Sequence, residues 1–401
     1  MLIELFFLFS IFFILYAYFG YPLILMAISL FRNQNVKKGD ITPMAAFIIT
    51  AYNEEKRIRE KIENTLKQDY PKDKLEIIIA SDCSSDKTDE IIKSYQAQGV
   101  KLVRALERRG KENAQRYAVD TAAGDILIFS DVATILKPDG ISNIVKNFND
   151  PTVGCVSSED RFIDSDGKIS GEGAYVRYEM FLRNLETKVN TLVGLSGSFF
   201  AARKEVCRNW ASDLQSDFNT LLNSVKIGLR GVSDPESIGY YKNIANEKKE
   251  FDRKVRTVIR GIAVFMKSLP MLNPFKYGFF SWQLFSHKLC RWLVPFAMII
   301  AFLSNFFLIL NSFLTSASTL SSISSSASTF DIYLYTFLLQ LVFYSLAILG
   351  IYIKYSTLAS TLTSNLLKIP SFFVLVNLSI LNAWYRYLKG ERLIAWEPSK
   401  R

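Results

Sequence analysis

Apolar residues in this chain gather into long runs at its two ends, and that distribution constrains the fold more than any single motif does. Residues 2–31 (LIELFFLFSIFFILYAYFGYPLILMAISLF) form a run long enough to cross about 30 Å of hydrocarbon at about 1.5 Å per helical residue. Three more apolar stretches lie near 291–313, 332–353 and 369–385. The chain between them is more polar, so the pattern predicts a soluble domain over residues 40–245, carried by membrane segments. Overall, 49% hydrophobic residues with a mean hydropathy of +0.14 is too apolar for a purely soluble protein of this length.

The first run has no basic segment before it and no small-residue cleavage site after it, so residues 1–31 read as an anchor and not as a secretory signal. Arg32, Lys37 and Lys38 follow at once. Positive charge marks the cytoplasmic side, which puts the amino terminus outside. Residues 246–289 read as amphipathic interfacial helices, 290–385 as a second membrane region and 386–401 as a basic tail. The Ser/Thr-rich segment 311–330 carries no Lys or Arg and suits an outside loop. The stretch 369–385 is short and follows Lys368, so it is either a span or a re-entrant or interfacial helix.

The net charge of +10 comes without zinc-ligand spacing or a basic block suited to a duplex. It is therefore read as a face toward anionic lipid headgroups, with no nucleic-acid partner. Cys83, Cys155, Cys207 and Cys290 stand far apart, as ordinary buried thiols would, and a single histidine, His287, excludes a multi-histidine metal cluster.

Residues 44–50 (MAAFIIT), 75–81 (LEIIIAS) and 125–131 (DILIFSD) are short apolar runs separated by helical segments, two of them at 54–67 and 85–98. In the first, Ile58, Ile62, Thr65 and Leu66 repeat at helical spacing. Strands apolar on both faces and alternating with helices predict an α/β domain whose parallel sheet is covered on both sides. Ligands bind such sheets at the carboxyl ends of the strands, so the residues after each run are the candidates.

Thr50-Ala51-Tyr52-Asn53-Glu54-Glu55 follows the first run and Ala80-Ser81-Asp82-Cys83-Ser84-Ser85-Asp86-Lys87-Thr88 ends the second. Either turn alone reads as a helix cap. Together they suit a nucleotide, because a strand-end carboxylate accepts hydrogen bonds from a base or ribose and a helix amino terminus favours phosphate. Arg108-Arg109-Gly110-Lys111 then offers charge to a diphosphate and a glycine that lets the backbone approach it. The third run ends in Ser130-Asp131-Val132-Ala133-Thr134.

This order of motifs resembles glycosyltransferase family 2, the inverting enzymes with a GT-A fold. The resemblance implies a nucleotide-diphospho-sugar donor, with Ala51, Tyr52, Glu54 and Asp82 at the nucleoside, Lys111 near the diphosphate and Asp131 in the metal-binding acidic motif. That motif is commonly Asp-x-Asp, whereas the second acid is here Ala133. One carboxylate and the diphosphate are still expected to hold Mg²⁺ or Mn²⁺. His287, before the first carboxy-terminal span, is the candidate for the ligand that Ala133 does not supply.

Gly197 and Ser198, within VGLSGSFFAAR, match the family's segment beneath the donor sugar and acceptor. Asp217, in Gln215-Ser216-Asp217-Phe218, matches the general base that takes the acceptor proton, with Asp213 as its alternative. Arg253 and Arg256 fall at the QxxRW position of processive synthases, where an arginine stabilises the leaving diphosphate. Thr257 replaces the Trp on which a growing chain would rest, which argues for transfer of one sugar; the resemblance implies a UDP donor and a lipid-linked saccharide as acceptor. The expected setting is a bacterial plasma membrane with the catalytic domain in the cytoplasm. The competing readings are a processive polysaccharide synthase and an inactive nucleotide-sugar-binding membrane protein.

Overall fold

The computed structural model describes residues 1–163, 174–242, 247–318, 326–355 and 364–393, so parts of the expected 311–330 loop and of the 386–401 tail lie outside the described residues. Two compact units divide the chain. One comprises Met1–Leu23, Glu247–Val258 and Phe285–Gly390, the other Ile24–Asn246, Ile259–Leu284 and Glu391–Arg401. The stretch 246–289, expected to be interfacial throughout, is thus shared between the two units.

The second unit is built on one eight-stranded sheet, β1 Ala45–Ala51, β2 Leu75–Ser81, β3 Val100–Arg104, β4 Ile126–Asp131, β5 Ile135–Leu136, β6 Val153–Ile163, β7 Phe199–Arg203 and β8 Arg230–Lys242, in the order β3-β2-β1-β4-β7-β6-β8-β5. The three apolar runs are β1, β2 and β4, which pair in parallel with β3 at the edge. The far half departs from the parallel sheet expected: β7 runs antiparallel to both β4 and β6, while β6 and β8 are parallel. It was not legible in advance because β6 and β8 mix polar and apolar residues (VSSEDRF, RGVSDPESIGYYK) and show no continuous apolar run.

Every residue of β1 is buried, as a central strand covered on both faces requires. On one face Phe47 and Ile49 pack with Ile58 and Ile62 of the helix Ile58–Leu66. On the other, Ala46 and Ile48 pack with Ala114 and Ala118 of the helix Lys111–Thr121, whose small side chains let it lie close to the sheet. The two candidate helices flank the strand ends from opposite faces, and that sandwich positions the site.

Among the described residues, the helices Leu2–Ser29, Phe279–Leu314, Ile332–Tyr352 and Leu367–Leu388 are long and apolar enough to cross a membrane, and most of their length falls in the first unit. The last extends past both ends of the stretch 369–385, because its helix takes in Leu367, Lys368 and Arg386. Asn305, fully buried, meets Thr336 and Gln340 across two helices, the kind of polar contact that joins helices where apolar packing gives no preference. Trp384 donates its indole N–H to the Trp292 carbonyl at 3.0 Å, tying the last helix to the second.

Candidate active site

Parallel register sets Ala51 beside Ser81 and Thr50 beside Asp131, so the turns that follow β1, β2 and β4 meet. The first two are joined. Asn53 Oδ1 accepts the Ser85 amide at 2.8 Å, the Glu54 amide donates to Thr88 Oγ1 at 2.7 Å, and the Glu55 amide to Asp86 Oδ2 at 3.1 Å. Asn53 and Cys83 adopt φ of 51° and 58°, a left-handed bend that Asn accommodates better than most residues.

Within this pair of turns, Ala51 is buried and Tyr52 is half-buried, with the Arg108 guanidinium 4.0 Å from its ring centroid. Glu54 is held by Arg57 through two bonds of 2.7 and 2.8 Å. Burial raises the pKa of its carboxyl, and Arg57 opposes that shift. Asp82 is fully buried and accepts the backbone amides of Arg109 at 3.2 Å and Gly110 at 3.0 Å. Burial also raises its pKa, with those amides opposing. Both carboxylates, expected at the nucleoside, therefore have partners within the fold, and Asp82 anchors the basic loop.

Gly110 has φ 101°, a conformation that a side chain resists, and it caps the helix that Lys111 begins. Lys111 Nζ stands 2.5 Å from Asp131 Oδ1 and 2.9 Å from the Gly197 carbonyl. Burial draws its pKa down but Asp131 outweighs it, so the net shift is upward and the ammonium stays charged. A Cβ built on Gly197 would lie 2.5 Å from Asp217 Oδ2. Lys111, Asp131, Gly197 and Asp217 are thereby brought together from four separate parts of the sequence.

Asp217 opens the helix Ser216–Lys226, where its Oδ1 accepts the Phe218 amide at 2.6 Å and its Oδ2 the Gln215 side-chain amide at 3.1 Å. Burial raises its pKa, and the positive charges of Lys111 and Arg260 pull it back. Asp213, the alternative base, forms a half-exposed ion pair with Lys267 at 2.5 Å. Gly197→Ala is expected to displace the Asp217 carboxylate and lower the site's activity about 100-fold, the scale of a misplacement near 1 Å; turnover of the purified variant checks this, and near-wild-type turnover would remove the close approach from the argument.

Three features were not foreseen. Lys61 is fully buried on the opposite face of the sheet, donating to Ser130 Oγ at 2.8 Å and the Thr134 carbonyl at 2.5 Å. The sequence carried a signal for it, since Ile58, Lys61, Ile62 and Thr65 make one buried helical stripe with a lysine in it. Burial lowers its pKa to about 7, although Asp131 opposes this. The unfolded chain keeps that proton to about 10.4, so between the two values it binds more protons than the fold, and stability rises with pH. The denaturation midpoint of the whole chain should accordingly rise from pH 7 toward 9, and the rise should flatten in Lys61→Met.

The second is a buried ion pair between Glu112 and Arg260, with side chains 4% and 15% exposed. Glu112 also accepts the Ser216 amide at 3.3 Å, next to Asp217. The third is Asp160 on β6, half-buried, which accepts the hydroxyls of Ser196 at 2.7 Å and of Ser198. Arg253 and Arg256 fall in the Glu247–Val258 part of the other unit and His287 in its Phe285–Gly390 part, buried near the Tyr21 ring at 6.1 Å. Among the described residues no group of three or more His, Cys, Asp or Glu could hold a metal ion.

A family model described as Glycosyl transferase family 2 matches residues 46–210. Among curated proteins, the poly-beta-1,6-N-acetyl-D-glucosamine synthase of Staphylococcus aureus is 30% identical over 193 residues, 46% of this chain and 46% of its own length. The synthase of the same name from Staphylococcus epidermidis is 26% identical over 177 residues, 42% of each. The match thus spans a little under half the length of these relatives. Among solved structures, a mannosyltransferase from Pyrobaculum calidifontis in complex with GDP-Man and Mn²⁺ is similar with a TM-score of 0.67 and 21% identity, covering 94% of this chain and 97% of that one. That likeness concerns the fold.

Proposed function

We propose, from the premise that residues 46–210 are a glycosyl transferase family 2 domain, that this chain is a membrane-bound inverting glycosyltransferase. It moves one sugar from a nucleotide-diphospho-sugar, UDP-linked, to a lipid-linked saccharide of the cell envelope, at a bacterial plasma membrane with the catalytic unit in the cytoplasm. The observation that carries this reading is the convergence of Lys111, Asp131, Gly197 and Asp217 at the strand ends. Four membrane-length helices support the membrane setting.

Inverting transfer needs a base for the acceptor hydroxyl and positive charge at the departing diphosphate. Asp217 is that base. In its ionised form, which Lys111 and Arg260 favour against burial, its carboxylate takes the hydroxyl proton as the acceptor oxygen bonds to the anomeric carbon and the bond to the diphosphate breaks. Lys111, at a helix amino terminus beside Arg108 and Arg109, receives the diphosphate charge. Gly197 leaves room for the reacting sugar beside Asp217, and Tyr52 is the half-exposed face offered to the base. Arg253 and Arg256 are assigned to the diphosphate and His287 to a metal on sequence resemblance alone. A Mg²⁺ or Mn²⁺ ion, when bound, supplies further positive charge to the diphosphate, and Asp131 is the residue that would hold it.

A second reading, a processive synthase, draws on the names of the Staphylococcus relatives. One experiment addresses both. The whole chain in lipid nanodiscs is given UDP-sugars and GDP-sugars with extracted lipid-linked saccharides, with and without excess chelator. Expected is donor turnover that stops in chelator and a product longer by one sugar. A ladder of products would favour the synthase; no turnover of any donor would sink the enzyme reading.

A further inference from the structure

We propose that Asp160, reaching the site from β6, supplies the carboxylate that the acidic motif lacks at Ala133, so that Asp131 and Asp160 together hold the divalent cation. This rests on the glycosyltransferase reading above and assigns a ligand that the motif does not contain.

The sheet brings the two acids together although 28 residues separate them in the chain. β7 lies between β4 and β6 and pairs with both. One residue just before it, Ser198, touches each acid: its carbonyl accepts the Asp131 amide at 3.0 Å and its hydroxyl donates to Asp160 Oδ1. Ser196 donates to the other oxygen, Oδ2, at 2.7 Å. Two hydroxyls fix the rotamer of Asp160 without neutralising it, and a carboxylate with about four acceptor sites keeps lone pairs for a cation.

Two further observations fit an ion in this place. Gly239, the β8 partner of Asp160, has no side chain, and a Cβ there would come within 2.9 Å of Thr134 Cγ2 and 3.8 Å of Asp160 Oδ1. The glycine lets β8 lie close to Thr134, in the turn that carries Asp131, and puts no β8 side chain beside Asp160 Oδ1. Thr50, the β1 partner of Asp131, is fully buried and its Oγ1 has no hydrogen-bond partner. Register puts that hydroxyl on the same face as Asp131, where the water shell of a bound ion would give it one.

Electrostatics agree. Burial pushes the Asp160 carboxyl toward protonation, the hydroxyls of Ser198 and Ser196 and the charge of Arg183 oppose it, and the charge of Asp131 adds a smaller push in the same direction as burial. A cation between the acids removes that repulsion. Two carboxylates are few for a protein cage but suit Mg²⁺ or Mn²⁺, hard ions that keep waters and take substrate phosphates as their remaining ligands.

The test reads Mn²⁺ binding to the whole chain in nanodiscs by electron paramagnetic resonance, with Mn²⁺ alone and with UDP or GDP, and needs no turnover. Asp160→Asn, which retains an acceptor for the serines, should weaken Mn²⁺ at least about tenfold, the scale on which ligand-sphere changes act, as Asp131→Asn should. Adding Ala133→Asp to Asp160→Asn should recover most of the loss, which a merely misfolded variant would not allow. Weakening in Asp131→Asn but wild-type affinity in Asp160→Asn overturns the proposal and leaves the glycosyltransferase reading standing. A wild-type chain that binds no Mn²⁺ with either nucleotide overturns it too, and donor turnover in chelator then says whether the enzyme reading survives.

Discussion

Asp217→Asn is expected to lower sugar transfer by about 10²- to 10⁴-fold, the range that a positioned general base contributes, while donor affinity stays within a few-fold. The amide matches the carboxylate in shape and retains an oxygen for the Phe218 amide, so the helix Ser216–Lys226 should keep its start. Only proton acceptance is lost. Because burial raises the Asp217 pKa, its carboxyl is protonated at a higher pH than an ordinary aspartate, and if it is the base, turnover should fall as pH drops through that raised value. Single-turnover rates across pH, with donor binding followed by calorimetry, would test both statements. Transfer that survives in Asp217→Asn would move the role of base elsewhere.

Arg260→Met is expected to destabilise the sheet-bearing unit by about 3–5 kcal/mol, because it leaves the Glu112 carboxyl group buried without its partner. The effect should exceed that of a surface substitution by several-fold. It should also reach the chemistry. Arg260 helps hold the Asp217 pKa down, so the variant's acid limb should lie at higher pH. Pairing Arg260→Met with Glu112→Gln removes the unpaired carboxyl and should restore most of the stability but not the position of the limb. Equal denaturation midpoints for Arg260→Met and the wild type would show that the pair contributes nothing.

Much of the parallel half of the sheet could be read from the chain. β1, β2 and β4 are fully or largely buried strands, and burial on both faces demands continuous apolar runs that are visible in any window of seven residues. The turns after them were legible for the same reason, since parallel strands put their carboxyl ends on one edge. What could not be read was the use of each side chain. Glu54 and Asp82 have the residue types a nucleoside needs, yet Arg57 and the Arg109 and Gly110 amides hold their carboxylates.

The apolar runs with which the chain begins and ends, and the shorter runs between them, therefore made legible the membrane-length helices, the α/β class and the strand end that carries Asp131, while Lys111 and Asp217 were picked out by the resemblance of their motifs. These are local properties: burial writes itself into consecutive residues, and a strand end needs no partner to be recognised. Tertiary structure alone decided that β7 would be threaded between β4 and β6, which sets Asp160 beside Ser196 and Ser198. It also decided that Arg260 would pair with Glu112 and that Lys61 would stand beneath the Asp131 turn. The physical reason is that a charge buried in a fold is tolerable only beside its partner, and such partners are chosen by proximity in space, on strands and helices far apart along the chain.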